Sequence, residues 1–159
     1  MQIFKTKKEQ EPIITEKIDD ICQDAWIRLY EPSEAELAIV SEKCSIPPEF
    51  LKAALDEEER PRIDAEDDVV LIVMDIPVMT EFEEIKTLTT HPLGIIIARD
   101  YLVTVCSRKS QVLDDFVAGK VRHFTTAKRT RFMFQIFYRN ASYYLSHLRQ
   151  IERSISRIE

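Results

Sequence analysis

The chain has 159 residues, 45% of them hydrophobic and 31% charged: enough apolar side chains for one packed domain, and too many for bulk disorder. Its two glycines, Gly94 and Gly119, exclude glycine-rich phosphate loops, and the longest apolar run, residues 69–74, falls far short of the about 20 that a membrane helix needs. The net charge of −6 is unevenly spread, with −13 on residues 1–100 and +7 on residues 101–159, so an acidic body precedes a basic tail.

Residues 1–6 alternate weakly and read as a strand, with 12–15 as the hairpin partner and 7–11 as the turn. Met1-Gln2-Ile3-Phe4-Lys5 runs straight into charge, so no secretory leader is expected. Residues 25–30 alternate aromatic and β-branched with polar side chains, a strand signature. Ser33 followed by Glu36 is a capping box, and Leu37, Val40 and Cys44 then fall at helical spacing, which predicts a helix over 34–44. Pro48 suits the first turn of a second, short helix over 48–55. The acidic run 56–59 leads to Arg60-Pro61-Arg62-Ile63, where the proline forces extended geometry and the chain re-enters the sheet.

Residues 69–79 are apolar apart from Asp75 and Pro77, as in a strand covered on both faces. A turn is expected at 81–84, a strand at 86–90 and another at 93–98. Arg99 and Asp100 then form a two-residue hairpin connection into a strand at 101–106. Val112, Leu113, Phe116 and Val117 form a short helix closed by Gly119. Hairpins mixed with helix-linked crossovers imply an α/β (α+β) fold, an αβα sandwich with a mixed central sheet.

Residues 127–159 contain neither proline nor glycine and form one long helix. Phe134, Ala141, Leu148 and Ile155 recur every seven residues, as do Phe137, Tyr144, Ile151 and Ile158. Packing on the helix's own domain accounts for the apolar first half, and a coiled-coil seam fits the second half better. At about 1.5 Å per residue the helix is roughly 50 Å long. A compact domain of this size is only about 30–35 Å across. The helix therefore overhangs a sandwich of residues 1–126, and the chain reads as a piece whose helix continues.

The residues that carry chemistry are sparse. Cys22, Cys44 and Cys106 are odd in number and widely spaced, which fits free thiols in a reducing compartment, with Cys106 a small buried hydrophobe. His91, His123 and His147 lie near neither one another nor a cysteine, so no catalytic residue and no metal ligand is assigned. The acidic clusters 56–59 and 64–68 lack the rhythm of a calcium loop and read as solvated loops able to hold hydrated magnesium weakly. Lys120, Arg122, His123, Lys128, Arg129 and Arg131, interleaved with Phe124 and Phe132, carry a superficial nucleic-acid signature that the overall acidity opposes.

The ordered set Trp26-Ile27-Arg28-Leu29, Ile46-Pro47, Leu55 through Glu59 into Arg60-Pro61-Arg62, Val70-Leu71-Ile72-Val73, Leu93-Gly94-Ile95-Ile96-Ile97, Tyr101-Leu102-Val103-Thr104-Val105 and the long helix resembles the N-terminal cytoplasmic domain of CorA-like magnesium transporters over nearly the whole chain. The resemblance implies a sandwich whose final helix becomes the stalk of a pentameric funnel on the cytoplasmic side of the membrane. Two transmembrane helices with a Gly-Met-Asn signature would follow, and neither occurs in these residues. It further implies a regulatory domain rather than an enzyme, with self-association, its own transmembrane part as partner, and magnesium as a weakly bound regulatory ion. Some family members carry an acidic magnesium-sensing pair in the helix before the Arg-Pro segment. The matching positions here are Lys52 and Ala53, and no site is assigned to the nearby Asp56, Glu57 and Glu58. The competing reading is a soluble adaptor or nucleic-acid-binding module that uses the basic C-terminal region.

Overall fold

In the computed structural model, which describes residues 1–7, 15–82 and 85–155, seven strands form one sheet between two helical layers. The strands are β1 (Gln2–Thr6), β2 (Thr15–Ile18), β3 (Trp26–Tyr30), β4 (Arg62–Glu66), β5 (Val69–Phe82), β6 (Ile85–Ile97) and β7 (Leu102–Cys106). The helices are α1 (Glu34–Cys44), α2 (Pro48–Ala53), α3 (Gln111–Val117) and α4 (Arg129–Ile155). The strand order is β2-β1-β3-β7-β6-β5-β4, with β3 and β7 parallel and every other pair antiparallel. This is the mixed αβα sandwich expected.

Alternation along the strands builds two separate cores. Ile27, Leu29, Leu71, Val73, Ile96, Val103 and Val105 face α1 and α2. Trp26, Ile72, Ile76, Leu93, Ile95, Leu102 and Cys106 face α3 and α4. β5 contributes to both, as its apolar run required. Against the second face, Trp26 lies 5.0 Å from the Phe132 ring, 5.2 Å from Phe4 and 6.1 Å from Phe124. Its indole N–H donates to Thr104 Oγ1 at 2.9 Å, which satisfies the one polar atom the ring buries.

The local signals acted as read at several termini. Ser33 accepts from the Glu36 backbone and Glu36 reaches back to the Ser33 N–H, and α1 spans Glu34–Cys44. Gly119, at φ +69°, supplies the left-handed residue after α3. α2 stops at Ala53, two residues before the expected end, where the Leu55 N–H turns back to the Lys52 carbonyl.

Three expectations are corrected. The partner of β1 is Thr15–Ile18, and residues 12–14 of the expected strand lie outside the described residues. The backbone is strand at Glu81 and Phe82, where the expected 81–84 turn would begin, and residues 83 and 84 lie outside the described residues. The two strands expected at 86–90 and 93–98 are one, β6, running through Pro92. Register explains this. Of β6 only Leu93–Ile97 pairs with β7, and of β5 only Val69–Val73 pairs with β4. Pro92 and Pro77 therefore sit where β6 and β5 have neighbours on one side alone, and neither ring removes a ladder hydrogen bond from a doubly paired strand.

Gly94 has a different role. A Cβ there would lie 3.0 Å from the Ala54 Cβ, so α2 packs against β6 because position 94 has no side chain.

Candidate functional site

The acidic segment after α2 is a surface turn already engaged with arginines. Glu57 Oε1 accepts from Arg108 Nη2 at 3.0 Å and Nε at 3.2 Å, and lies 3.8 Å from His91 Nδ1. Arg62 pairs with Glu59 and donates from Nε to Asp64 Oδ2 at 2.6 Å. Asp56 Oδ1 accepts the Glu58 backbone N–H at 3.0 Å. Lys52 reaches Glu34 Oε2 at 2.8 Å, and Ala53 is buried. Among the described residues no group of three or more His, Cys, Asp or Glu side chains is placed to hold a metal ion. The segment is an exposed acidic surface whose carboxylates are engaged by Arg108, Arg62 and a backbone donor.

The basic cluster does not assemble as a nucleic-acid platform. Phe124 and Phe132, the two aromatics interleaved in it, are buried in the core beside Trp26, with ring centroids 4.5 Å apart. Arg129 Nη1 pairs with Asp24 Oδ1 at 3.2 Å and Lys120 Nζ with Asp115 Oδ1 at 3.2 Å. Stacking on exposed rings is the sequence-tolerant part of single-strand binding, and these rings are not available for it.

The most elaborate polar arrangement lies between α3 and α4. Asp115 is 1% exposed. Its Oδ2 accepts from Arg139 Nη2 and, at 2.7 Å, from the Tyr143 hydroxyl, while Lys120 approaches Oδ1. Burial pushes this carboxyl up, but donation from Arg139, Tyr143 and Lys120 outweighs it, and the group sits below the ordinary carboxylate value. Burial and the neighbouring carboxylate push the Tyr143 hydroxyl up to about 12, so it stays a donor. One turn of helix places Arg139 and Tyr143 on the same side of α4, and Asn140 beside them donates from Nδ2 to the Asp75 carbonyl at 2.9 Å. α4 is thus latched to α3 and to β5 at its middle. Beyond Tyr144, residues 145, 146 and 148–153 are exposed.

Buried thiols complete the inventory. Burial pushes Cys44 and Cys106 up to about 11 each, as expected of thiols acting as small hydrophobes.

A sandwich of this strand order, carrying a projecting C-terminal helix, can be compared with known proteins. A family model described as CorA-like Mg2+ transporter protein matches residues 23–159. The chain belongs to this CorA-like family. The cobalt/magnesium transport protein CorA of Methanocaldococcus jannaschii is 34% identical over 151 residues, covering 92% of this chain and 44% of that protein. The solved soluble domain of CorA from the same organism superposes with a TM-score of 0.77 at 26% identity, covering 99% of this chain and 62% of that one. The complete CorA magnesium transporter of that organism gives 0.75 at 25% identity, covering 98% and 49%. This CorA-like chain therefore spans less than half the length of the curated relative it matches. Among its described residues no helix is long and apolar enough to cross a membrane.

Sequence reasoning passed over the Asp115 latch of the CorA-like fold. Arg139 and Tyr143 stand four apart on a predicted helix, which places them on one side, but nothing local names Asp115 as their common partner 24 and 28 residues upstream.

Proposed function

We propose that this chain is the regulatory domain of a CorA-like magnesium transporter, lying on the cytoplasmic side of the membrane and passing changes in its packing along α4 toward a pore carried by the rest of the protein. The observation that carries the reading is the family match over residues 23–159 on a body from which α4 projects. In this reading residues 1–126 are the sandwich and 127–159 the start of a stalk, whose first turns also close the aromatic core. At 27 residues and about 1.5 Å per residue, α4 is roughly 40 Å long, longer than the about 30–35 Å width of such a body.

The domain acts as one of several copies, a pentamer in the whole transporter, and its partners are those copies and its own transmembrane part. Residues 1–100 carry −13, so neighbouring copies repel through their acidic surfaces. Magnesium bound weakly through water between these surfaces would offset the repulsion, and its loss would let the copies splay and tilt their helices. The reading involves no catalytic step, and the buried Phe124 and Phe132 argue against a nucleic-acid partner.

Calorimetry and sedimentation velocity of the chain in millimolar magnesium, against sodium at equal ionic strength, test the sensing step. Heat of binding together with magnesium-specific association supports it. Curves identical in the two salts remove magnesium sensing from the reading and leave family membership untouched.

A further inference from the structure

The N-terminal end of α4 opens onto a cleft of about 710 Å³ beside the turns that join β4 to β5 and β6 to β7. Arg99, Lys128, Arg129 and Arg131 line it, and Asp68 is the one acid among the lining residues. Arg129 Nη1 is held by Asp24 Oδ1 at 3.2 Å, while Arg99, Lys128 and Arg131 are exposed. A second cleft of about 370 Å³ adjoins the first and shares Asp68, Ala98 and Arg99 with it. Val69, Tyr101, Asp67 and Asp100 lie on its walls.

The cations stand where helix electrostatics opposes them. The N-terminal end of a helix carries partial positive charge, so acids stabilise the first turn and bases destabilise it. α4 begins Arg129-Thr130-Arg131 directly after Lys128, and its first turn holds no acid. The Phe132 N–H makes the first bond of the helix, to the Lys128 carbonyl at 2.9 Å, so the N–H groups of residues 129–131 lie at its open end. Four cationic side chains and a helix end thus direct one sign of charge at one cleft. Such a departure from the local rule has no stabilising role, and a bound anion turns the repulsion into charge-assisted hydrogen bonds. A single phosphate leaves most of the four cations unmatched, whereas a phosphate chain meets them all. The adjoining cleft has a different chemistry: Tyr101 and Val69 offer surface to a base, and the Asp67 and Asp100 carboxylates accept from sugar hydroxyls.

We propose that the two clefts together bind a nucleoside triphosphate, with the phosphate chain among Arg99, Lys128, Arg129 and Arg131 and the nucleoside beside Tyr101. Side chains and a helix end do here what a glycine-rich loop does in other nucleotide sites. Binding at the first turn of α4 gives the domain a second input to the same helix. The proposal stands on the clefts alone and holds whether or not magnesium regulates the domain.

Calorimetric titration of the whole chain with ATP, tripolyphosphate and adenosine in magnesium-free buffer tests it. Saturable ATP binding with a Kd below about 1 mM is expected, about tenfold or more tighter than tripolyphosphate or adenosine. The double variant Lys128→Ala with Arg131→Ala, and Arg99→Ala alone, should each weaken ATP about tenfold or more. The double variant should keep its circular dichroism, and its Tm in the absence of ligand should not fall, because it removes cations from a helix N-terminal end. Arg149→Ala with Arg153→Ala, at the far end of α4, should leave ATP binding unchanged. No ATP binding, or equal loss in the Arg149 and Arg153 variant, overturns the proposal. So does tripolyphosphate binding as tightly as ATP, which leaves a basic patch without a nucleoside subsite, and so does a single-stranded oligonucleotide that binds more tightly than ATP.

Discussion

On the α1–α2 side of the sheet, Leu37, Val40, Phe50 and Leu51 meet Ile27, Leu29, Leu71 and Val103 in a largely aliphatic core. On the α3–α4 side, Phe4, Trp26, Phe116, Phe124 and Phe132 pack as tilted and edge-to-face rings, and beside them a buried carboxylate, a guanidinium and a phenol hold the helices together. Aliphatic contacts are non-directional and accept small rotations of the packed helix. Ring geometry and charge-assisted hydrogen bonds do not. The first face secures the body, and the second also fixes the rotation of α4, and so decides which of its apolar stripes looks outward.

The largest predicted effect is at Trp26. Trp26→Ala should cost about 4 kcal/mol in urea unfolding, because it empties the centre of the aromatic cluster and leaves Thr104 without its donor. Ile27→Ala, one residue along on the aliphatic face, should cost about 3 kcal/mol. A reversed order would break the contrast between the two faces.

Asp115→Ala should cost about 3 kcal/mol at neutral pH, because it leaves Arg139 facing α3 without a counter-charge. Asp115 also predicts a direction with pH. Its folded value is depressed, so its contribution is complete above the unfolded carboxylate value of about 3.9 and is lost as pH falls through the lower folded value. The stability difference between wild type and Asp115→Asn, followed by urea unfolding, should therefore shrink on acidification below about pH 4. A difference that is flat with pH would mean the latch holds α4 by shape alone. A pair of spin labels, one on β3 and one near Leu148, should show a broader distance distribution in Asp115→Asn, which sharpens the claim that the latch sets the helix direction.

The smallest effect belongs to the aliphatic face. Gly94→Ala places a methyl 3.0 Å from Ala54 and should cost about 1–2 kcal/mol as α2 shifts off the sheet. A neutral result would show that this face absorbs a displacement that the aromatic face would not.

Much of the fold was legible because it was written locally. The capping box at Ser33 and Glu36, Pro48 at the first turn of α2, Gly119 after α3, the alternation in β3 and the Arg99-Asp100 connection into β7 each depend on residues within a few positions of one another. Reading failed where a distant strand set the rule. Two strands were expected at 86–90 and 93–98, yet they are one, and Pro92 is tolerated inside β6 because β7 has already ended at Cys106, opposite Leu93. The basic cluster misled for the same reason: spacing shows that Phe124 and Phe132 accompany the cations, but only the packed sheet shows the rings turned inward around Trp26.

The two heptad sets on α4 draw the boundary most clearly. The sequence by itself determined that residues 127–159 form a long helix with apolar residues every three or four positions, because helical periodicity is a property of the segment alone. It offered Phe134, Ala141 and Leu148 together with Phe137 and Tyr144 as one seam. The tertiary structure divided that seam: Phe137 packs against the body, while Phe134, Ala141 and Leu148 join Tyr138 and Leu145 on the outer face. The rotation that does this is fixed by Asp115 and the Asp75 carbonyl, groups on other elements, and a helix cannot encode the position of a partner that lies on neither of its own turns.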